Sequence, residues 1–457
     1  MQWQKLLNNQ RLGLRTQNTP LSYRSAFQQD FDRLVFSAAF RRLQDKTQVF
    51  PLAQSDYVRT RLTHSLEVSS VARSLGTMIG EYLVKQHDLP NITPQDVGSI
   101  IAASALAHDI GNPPFGHAGE EAISRFFKQS EIGKAAIADC PLEQKADFLN
   151  FEGNAQGFRL LTKLQNSDNN GGLQLTLPTI GGLVKYPRPS LCFPNNQKNK
   201  DAHIDTHIAL KKFNYFQAEK SLFIEFAENS GLKRFDGIND AWHRHPLAFL
   251  LEAADDICYR LIDCEDAYRL GILKAEDVIG YFSQIIESTH ILPEKIKRLS
   301  REKDKIEYLR AFSIGVLIDQ VIKCFIQHEK AILRGECHQE LLALIPAVKF
   351  LDEIKAIAAS KIYNSAPVLE VGIAGFEVLN KLLEAFVGAL SDEALGKSHT
   401  KSQMIMNLLP DQFLGEGRKP DEDPYIRNLK ITDFLSGMTD TYAVRVFQNM
   451  SGRFLKG

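Results

Sequence analysis

With 457 residues, 44% hydrophobic and 24% charged, the chain suits two or three ordinary soluble domains or one large one. A net charge of −1 gives no overall field that would draw it to nucleic acid or a membrane surface. Its six cysteines form neither a CxxC pair nor a regular framework, and the N-terminal Met-Gln-Trp-Gln-Lys-Leu-Leu lacks the apolar stretch of a signal peptide; free thiols in a reducing cytoplasm are expected.

Residues 1–30 are polar and read as a mobile arm. From Phe31 the text turns helical, with Phe31, Leu34, Val35, Ala38, Ala39 and Arg42 at i, i+3, i+4 spacing. A loop over 44–57 follows, and a second helix begins near Thr63, with His64, Val68, Val71, Ala72, Leu75 and Ile79 on one face. Thr93-Pro94 opens the next helix, predicted over 94–110, in which Val97, Ile101, Ser104 and His108 share a stripe. Its small residues 102–105 and Ala107 would let another helix approach closely. Gly-Asn-Pro-Pro then breaks the chain and turns it back, so that His117 and Glu120 can face His108 and Asp109. Helices are expected over 120–130, 158–164 and 219–230, with an irregular loop over 181–200. In the helix predicted over 246–270, Leu247, Leu251, Ala254, Asp255, Cys258 and Ile262 form the apolar stripe, which makes Asp255 an inward acid. From 275 onward the text is helical, with amphipathic runs over 316–325 and 378–390 and few strand signals.

Two imidazoles, His64 and His108, and two carboxylates, Asp109 and Asp255, therefore lie on inward faces of three helices. A buried acid needs a cation or donors. Nitrogen and carboxylate donors together suit a divalent ion such as Mn²⁺, Mg²⁺, Fe²⁺, Ni²⁺ or Zn²⁺, with coordination positions left for water and a substrate oxygen. Any one of these histidines alone is more simply a satisfied core residue. Four such groups with His and Asp adjacent favour the metal.

The pattern His64, His108-Asp109, Asp255 resembles the HD-domain metal hydrolases. The longer runs Arg-Arg-Leu-Gln-Asp-Lys-Thr-Gln-Val-Phe-Pro-Leu (41–52), Val-Arg-Thr-Arg-Leu-Thr-His-Ser (58–65), His-Asp-Ile-Gly-Asn-Pro-Pro-Phe-Gly-His (108–117), Phe-Glu-Gly-Asn-Ala-Gln-Gly (151–157) and Glu-Ala-Ala-Asp-Asp-Ile-Cys-Tyr (252–259) resemble the dGTPase family of deoxynucleoside triphosphate triphosphohydrolases, as does Ser-Gly-Met-Thr-Asp-Thr-Tyr-Ala (436–443). The resemblance runs from about residue 30 to the end.

It implies a mainly helical, all-α fold: an N-terminal arm (1–30), an HD catalytic core (31–275, with an irregular loop 165–205) and a helical region (276–457) completing the nucleotide pocket. It implies hydrolysis of a dNTP, dGTP foremost, to deoxynucleoside and tripolyphosphate by water attack at the α-phosphorus, with one divalent metal ion per subunit, Mn²⁺ or Mg²⁺ ahead of Ni²⁺, Fe²⁺, Zn²⁺ or Co²⁺. His117 is then the catalytic acid/base and Glu120 its orienting partner. Arg61 approaches the α-phosphate, and Asn154, Lys185, Tyr186 and Lys212 cradle the phosphates. Gln48 and Asp263 meet the sugar 3′-hydroxyl, Tyr259 packs on the deoxyribose and Glu370 reads the base. Family members form homo-oligomers, hexamers or tetramers, and some bind single-stranded DNA or a regulatory dNTP; no membrane partner is implied. The segments 165–205 and 385–425 depart from guanine-specific members, so base choice stays open. The alternatives are an HD-type phosphodiesterase or nucleotidase, and a non-catalytic nucleotide-sensing or single-stranded-DNA-binding module.

Overall fold

The computed structural model describes residues 1–14, 24–50, 59–192 and 207–452. The fold is all-α, as expected. Among the described residues no strand forms, only isolated bridges such as Arg11 with Thr176. Parts of the expected arm (15–23), of the 41–52 and 58–65 motifs (51–58) and of the 165–205 loop (193–206) lie outside the described residues.

The first residues are not a free arm. Helix α1 (Trp3–Leu6) and the turn after it bury Trp3, Leu6, Leu7 and Leu12 in the main core. The Trp3 indole N–H donates to the buried Glu329 at 2.7 Å. Four apolar side chains in a dozen residues offset the ordering cost, at about 1.5–3 kcal/mol each on full burial. Helix α2 (Ala26–Val35) follows, and Ser37 starts a separate short helix, so the run expected from Phe31 to Arg42 is broken at Phe36.

Helix α3 (Arg61–Gln86) begins two residues before the predicted start. Thr60 accepts from the Thr63 backbone while the Thr63 side chain accepts from Thr60 N–H, a reciprocal cap. Helix α4 (Pro94–Ala107) opens with Pro94 behind the Thr93 cap. The two pack antiparallel and tightly, and Ser69 Oγ donates to the Ala102 carbonyl at 3.0 Å. Helix α4 ends at Ala107, placing His108 and Asp109 at its C-terminal edge. The turn beyond lies against α6 (Gly153–Arg159) so closely that a Cβ on Gly111 would sit 2.1 Å from Gly157 N.

Helix α5 (His117–Gln129) comes between that turn and α6 in the chain, and α7 (Pro246–Arg269) packs on α3. The 181–200 stretch expected to be irregular begins inside a short helix, Leu177–Leu183, whose glycines meet Ser104 and His245. Helices α8 (Glu302–Arg334), α9 (Ala366–Ala394), α10 (Pro424–Ser436) and α11 (Asp440–Met450) follow, with shorter helices such as Ala275–Glu287 and Val348–Ile357 between them. No helix among the described residues is long and apolar enough to cross a membrane.

Two hydrophobic cores result. The larger joins α1–α4, α7 and α8 and takes in Val278, Phe282, Leu309 and Ile354, so it runs across residue 275. The smaller packs α5 against α9, α10 and α11 through Ile123, Phe127, Phe386, Leu429 and Phe434.

Candidate active site

A pocket of about 700 Å³ opens where the two cores meet. The larger core contributes His64 from α3, His108 from the end of α4 and Asp255 from α7, all lining it. One ligand atom from each lies within 4.8 Å of the other two. Asp255 Oδ1 is 3.2 Å from His64 Nε2 and 3.5 Å from His108 Nε2. His108 Nδ1 sits 2.7 Å from the Ala105 carbonyl, which can only accept. The Nδ1 proton is thereby fixed, which leaves Nε2 facing Asp255 with room for either a proton or a metal ion as the cation between them. This donor set fits a divalent metal.

Asp109 stands at the edge of this set. Its Oδ1 is 3.6 Å from His108 Nε2. It also accepts from Asn112 Nδ2 at 2.6 Å, while Oδ2 pairs with Arg61 at 2.7 Å. Burial opposes its ionisation, but Arg61 and the two imidazoles outweigh that and hold its carboxyl well below the usual range. Asp255 is likewise held low against burial by Lys185, whose Nζ is 2.8 Å from Oδ2, and by His108. Lys185 thus sits on the acid in this structure, within the pocket where phosphates were expected to meet it. Burial lowers the His108 pKa, and Asp109 and Asp255 overcome it to raise it.

The smaller core contributes His117 and Glu120, on the first turn of α5. The His117 ring is exposed at the pocket wall, with Nδ1 2.7 Å from Glu120 Oε2. Glu120 is fixed in turn by the Gly153 N–H, 2.7 Å from Oε1. The Glu120 hydrogen bond and its charge raise the His117 pKa. The ring is aimed by an unusual backbone: Phe115 has φ +64° and Gly116 φ +58°. A Cβ on Gly116 would also lie 2.4 Å from Arg61 Nη2, so only glycine fits there.

The remaining expected contacts divide by position. Arg61, Asn154, Tyr186 and Lys212 line the pocket. Lys212 reaches Glu152 at 3.0 Å, and Asn154 Nδ2 donates to the same carboxylate at 2.6 Å. Gln48 and Asp263 share a small recess that has Gln48, Val49 and His64 in common with the main pocket. Gln48 Oε1 is buried there without a hydrogen-bond partner. Asp263 accepts from Tyr363 Oη at 2.8 Å, and burial pushes its carboxyl up to about 8. Tyr259 lines the pocket, stacked on Tyr363 with ring centroids 5.8 Å apart.

Glu370 does not belong with them. It is exposed on α9 and does not line the pocket, although Leu369, Val371 and Ile373 beside it do, with Val368, Gly372 and Phe376. Sequence reasoning missed Tyr363, Glu152 and this apolar wall. Glu152 stood within the 151–157 motif, whereas Tyr363 carried no local signal.

Comparison with known proteins agrees with this geometry. Residues 61–150 match the HD domain model, and residues 347–449 match that of the phosphohydrolase-associated domain. A deoxyguanosinetriphosphate triphosphohydrolase-like protein of Synechocystis sp. is 42% identical over 99% of both chains, and one of Pseudomonas aeruginosa is 38% identical over 99% of both. A deoxyguanosinetriphosphate triphosphohydrolase of Yersinia pseudotuberculosis is 29% identical over 93% of both. The chain therefore belongs to the dGTPase family of HD-domain hydrolases, the family its motifs resemble.

Proposed function

We propose that this protein hydrolyses deoxynucleoside triphosphates, dGTP foremost, to a deoxynucleoside and tripolyphosphate. One observation carries the reading: a metal-type donor set and an oriented His117–Glu120 pair line one pocket that also holds Arg61 and Lys212. His64, His108, Asp109 and Asp255 would hold a divalent ion, Mn²⁺ or Mg²⁺, which when bound supplies charge neutralisation at an α-phosphate oxygen.

The chain's own groups do the rest. Arg61 and Lys212, with Asn154, Tyr186 and Lys185, bind and orient the triphosphate. Water attacks the α-phosphorus and the 5′ oxygen leaves. His117, its Nδ1–H held by Glu120, delivers a proton from Nε2 to that oxygen, and the Glu120 carboxylate favours the charged ring by raising its pKa. Gln48, with its unpartnered buried oxygen, and Asp263 meet the 3′-hydroxyl. Tyr259, stacked on Tyr363, would pack on the deoxyribose and crowd out a 2′-hydroxyl.

The test is a phosphorus NMR product assay on all four dNTPs and GTP, with Mn²⁺ or Mg²⁺. Tripolyphosphate from dNTPs, and little from GTP, is expected. Orthophosphate alone would make the protein a nucleotidase, and binding of dGTP without turnover would make it a sensor.

A further inference from the structure

The 436–443 motif takes no part in the chemistry above, yet it is tied to the pocket from behind. Asp440 is buried at the start of α11, whose capping is already done by the Thr439 side chain. Both Asp440 oxygens are directed elsewhere. Oδ2 accepts the Thr47 N–H at 2.9 Å, and Oδ1 accepts the Phe115 N–H at 3.0 Å. Thr47 precedes Gln48. Phe115 stands two residues before His117 and holds φ +64°, a conformation that a bulky side chain keeps only when its surroundings impose it.

Adjacent contacts run between the same segments. Lys46, fully buried, donates from Nζ to the carbonyls of Asn112 at 2.5 Å and Ser436 at 2.9 Å. Arg42 donates to the Gly437 carbonyl at 3.2 Å, and Thr441 Oγ1 to Asp45 at 2.7 Å. A helix N-terminus favours an acid by its dipole alone. That preference needs only a nearby charge and does not account for one carboxylate holding two distant backbone amides.

We infer that Asp440 is a positioning residue: its two oxygens lock the turn that carries His117 to the segment that carries Gln48, and so set both across the pocket. The inference rests on the proton-transfer role proposed for His117. Asp440→Asn keeps the shape but one acceptor oxygen, so one amide loses its partner; Asp440→Ala releases both.

In the full-length protein with dGTP and Mn²⁺, kcat should fall about tenfold in D440N and about 100-fold in D440A, with KM changing less than kcat. Hydrogen exchange at 112–117 or 46–48 should speed up in D440N, and at both in D440A, while α3 and α4 keep their protection and bound Mn²⁺ is retained. Wild-type kcat and wild-type exchange in both variants would overturn the inference. So would uniform loss of protection with activity falling in step with the melting transition in D440N, the gentler variant, since that marks a purely structural residue. If the unaltered protein hydrolyses no dNTP, the functional reading fails while the exchange data still decide whether Asp440 holds the two segments.

Discussion

A single hydrogen bond sets the proton chemistry proposed for His117. Glu120 raises its pKa, and an acid that must be charged loses turnover as pH climbs through that value. Glu120→Gln removes the stabilising charge, so the alkaline limb of the kcat profile should move to lower pH. His117→Ala should lower kcat about 100-fold or more while ion content stays unchanged, because no donor of the His64, His108, Asp255 set is lost. His108→Ala should do the reverse: elemental analysis should find most bound Mn²⁺ gone, since a carbonyl-fixed imidazole is removed. Helical periodicity made His64, His108 and Asp255 legible because His64 and Asp255 sit on long helices and His108 caps the end of a regular one. Glu370 came from the family resemblance alone, with no periodicity behind it, and it does not line the pocket. Tyr363 could not have been found, since its partner Asp263 is 100 residues away.

Helix termini follow local chemistry. Reciprocal threonine caps, Pro94 and Pro246 placed α3, α4 and α7 within three residues of their predicted starts. The N-terminal segment followed tertiary packing instead. Four residues of α1 are too few to hold a helix alone, so no periodicity announced it. Its stability comes from burial of Trp3 and from Glu329, which also receives Tyr82 Oη at 2.8 Å and lies 2.6 Å from His87 Nε2. Trp3→Ala should cost about 3–5 kcal/mol in urea unfolding, an effect no mobile arm would show.

At the scale of the molecule, buried neutral histidines govern acid tolerance. Burial pushes His207 down to about 3, and His243 and His245 to about 4. Unfolding frees each ring to titrate near 6.5, so the unfolded state binds more protons below that pH. Their contribution is intact above about 6.5 and is lost as pH falls towards 4. The three rings drive a drop in the urea midpoint across that window, against the buried carboxyls of Asp256, Asp263 and Glu219, whose raised pKa values act in the opposite sense. His207→Asn, whose amide oxygen can replace the ring nitrogen as acceptor for Ala209 N–H, should flatten the drop.

The two cores give this enzyme two separable ways to fail. The His64, His108 and Asp255 set is built on the larger body, and His117, the proposed proton donor, rides on the smaller, adjoining one. Gentle warming that loosens only the lesser body would leave a loaded but silent enzyme. Heat inactivation should then set in several degrees before the main calorimetric peak and reverse on cooling.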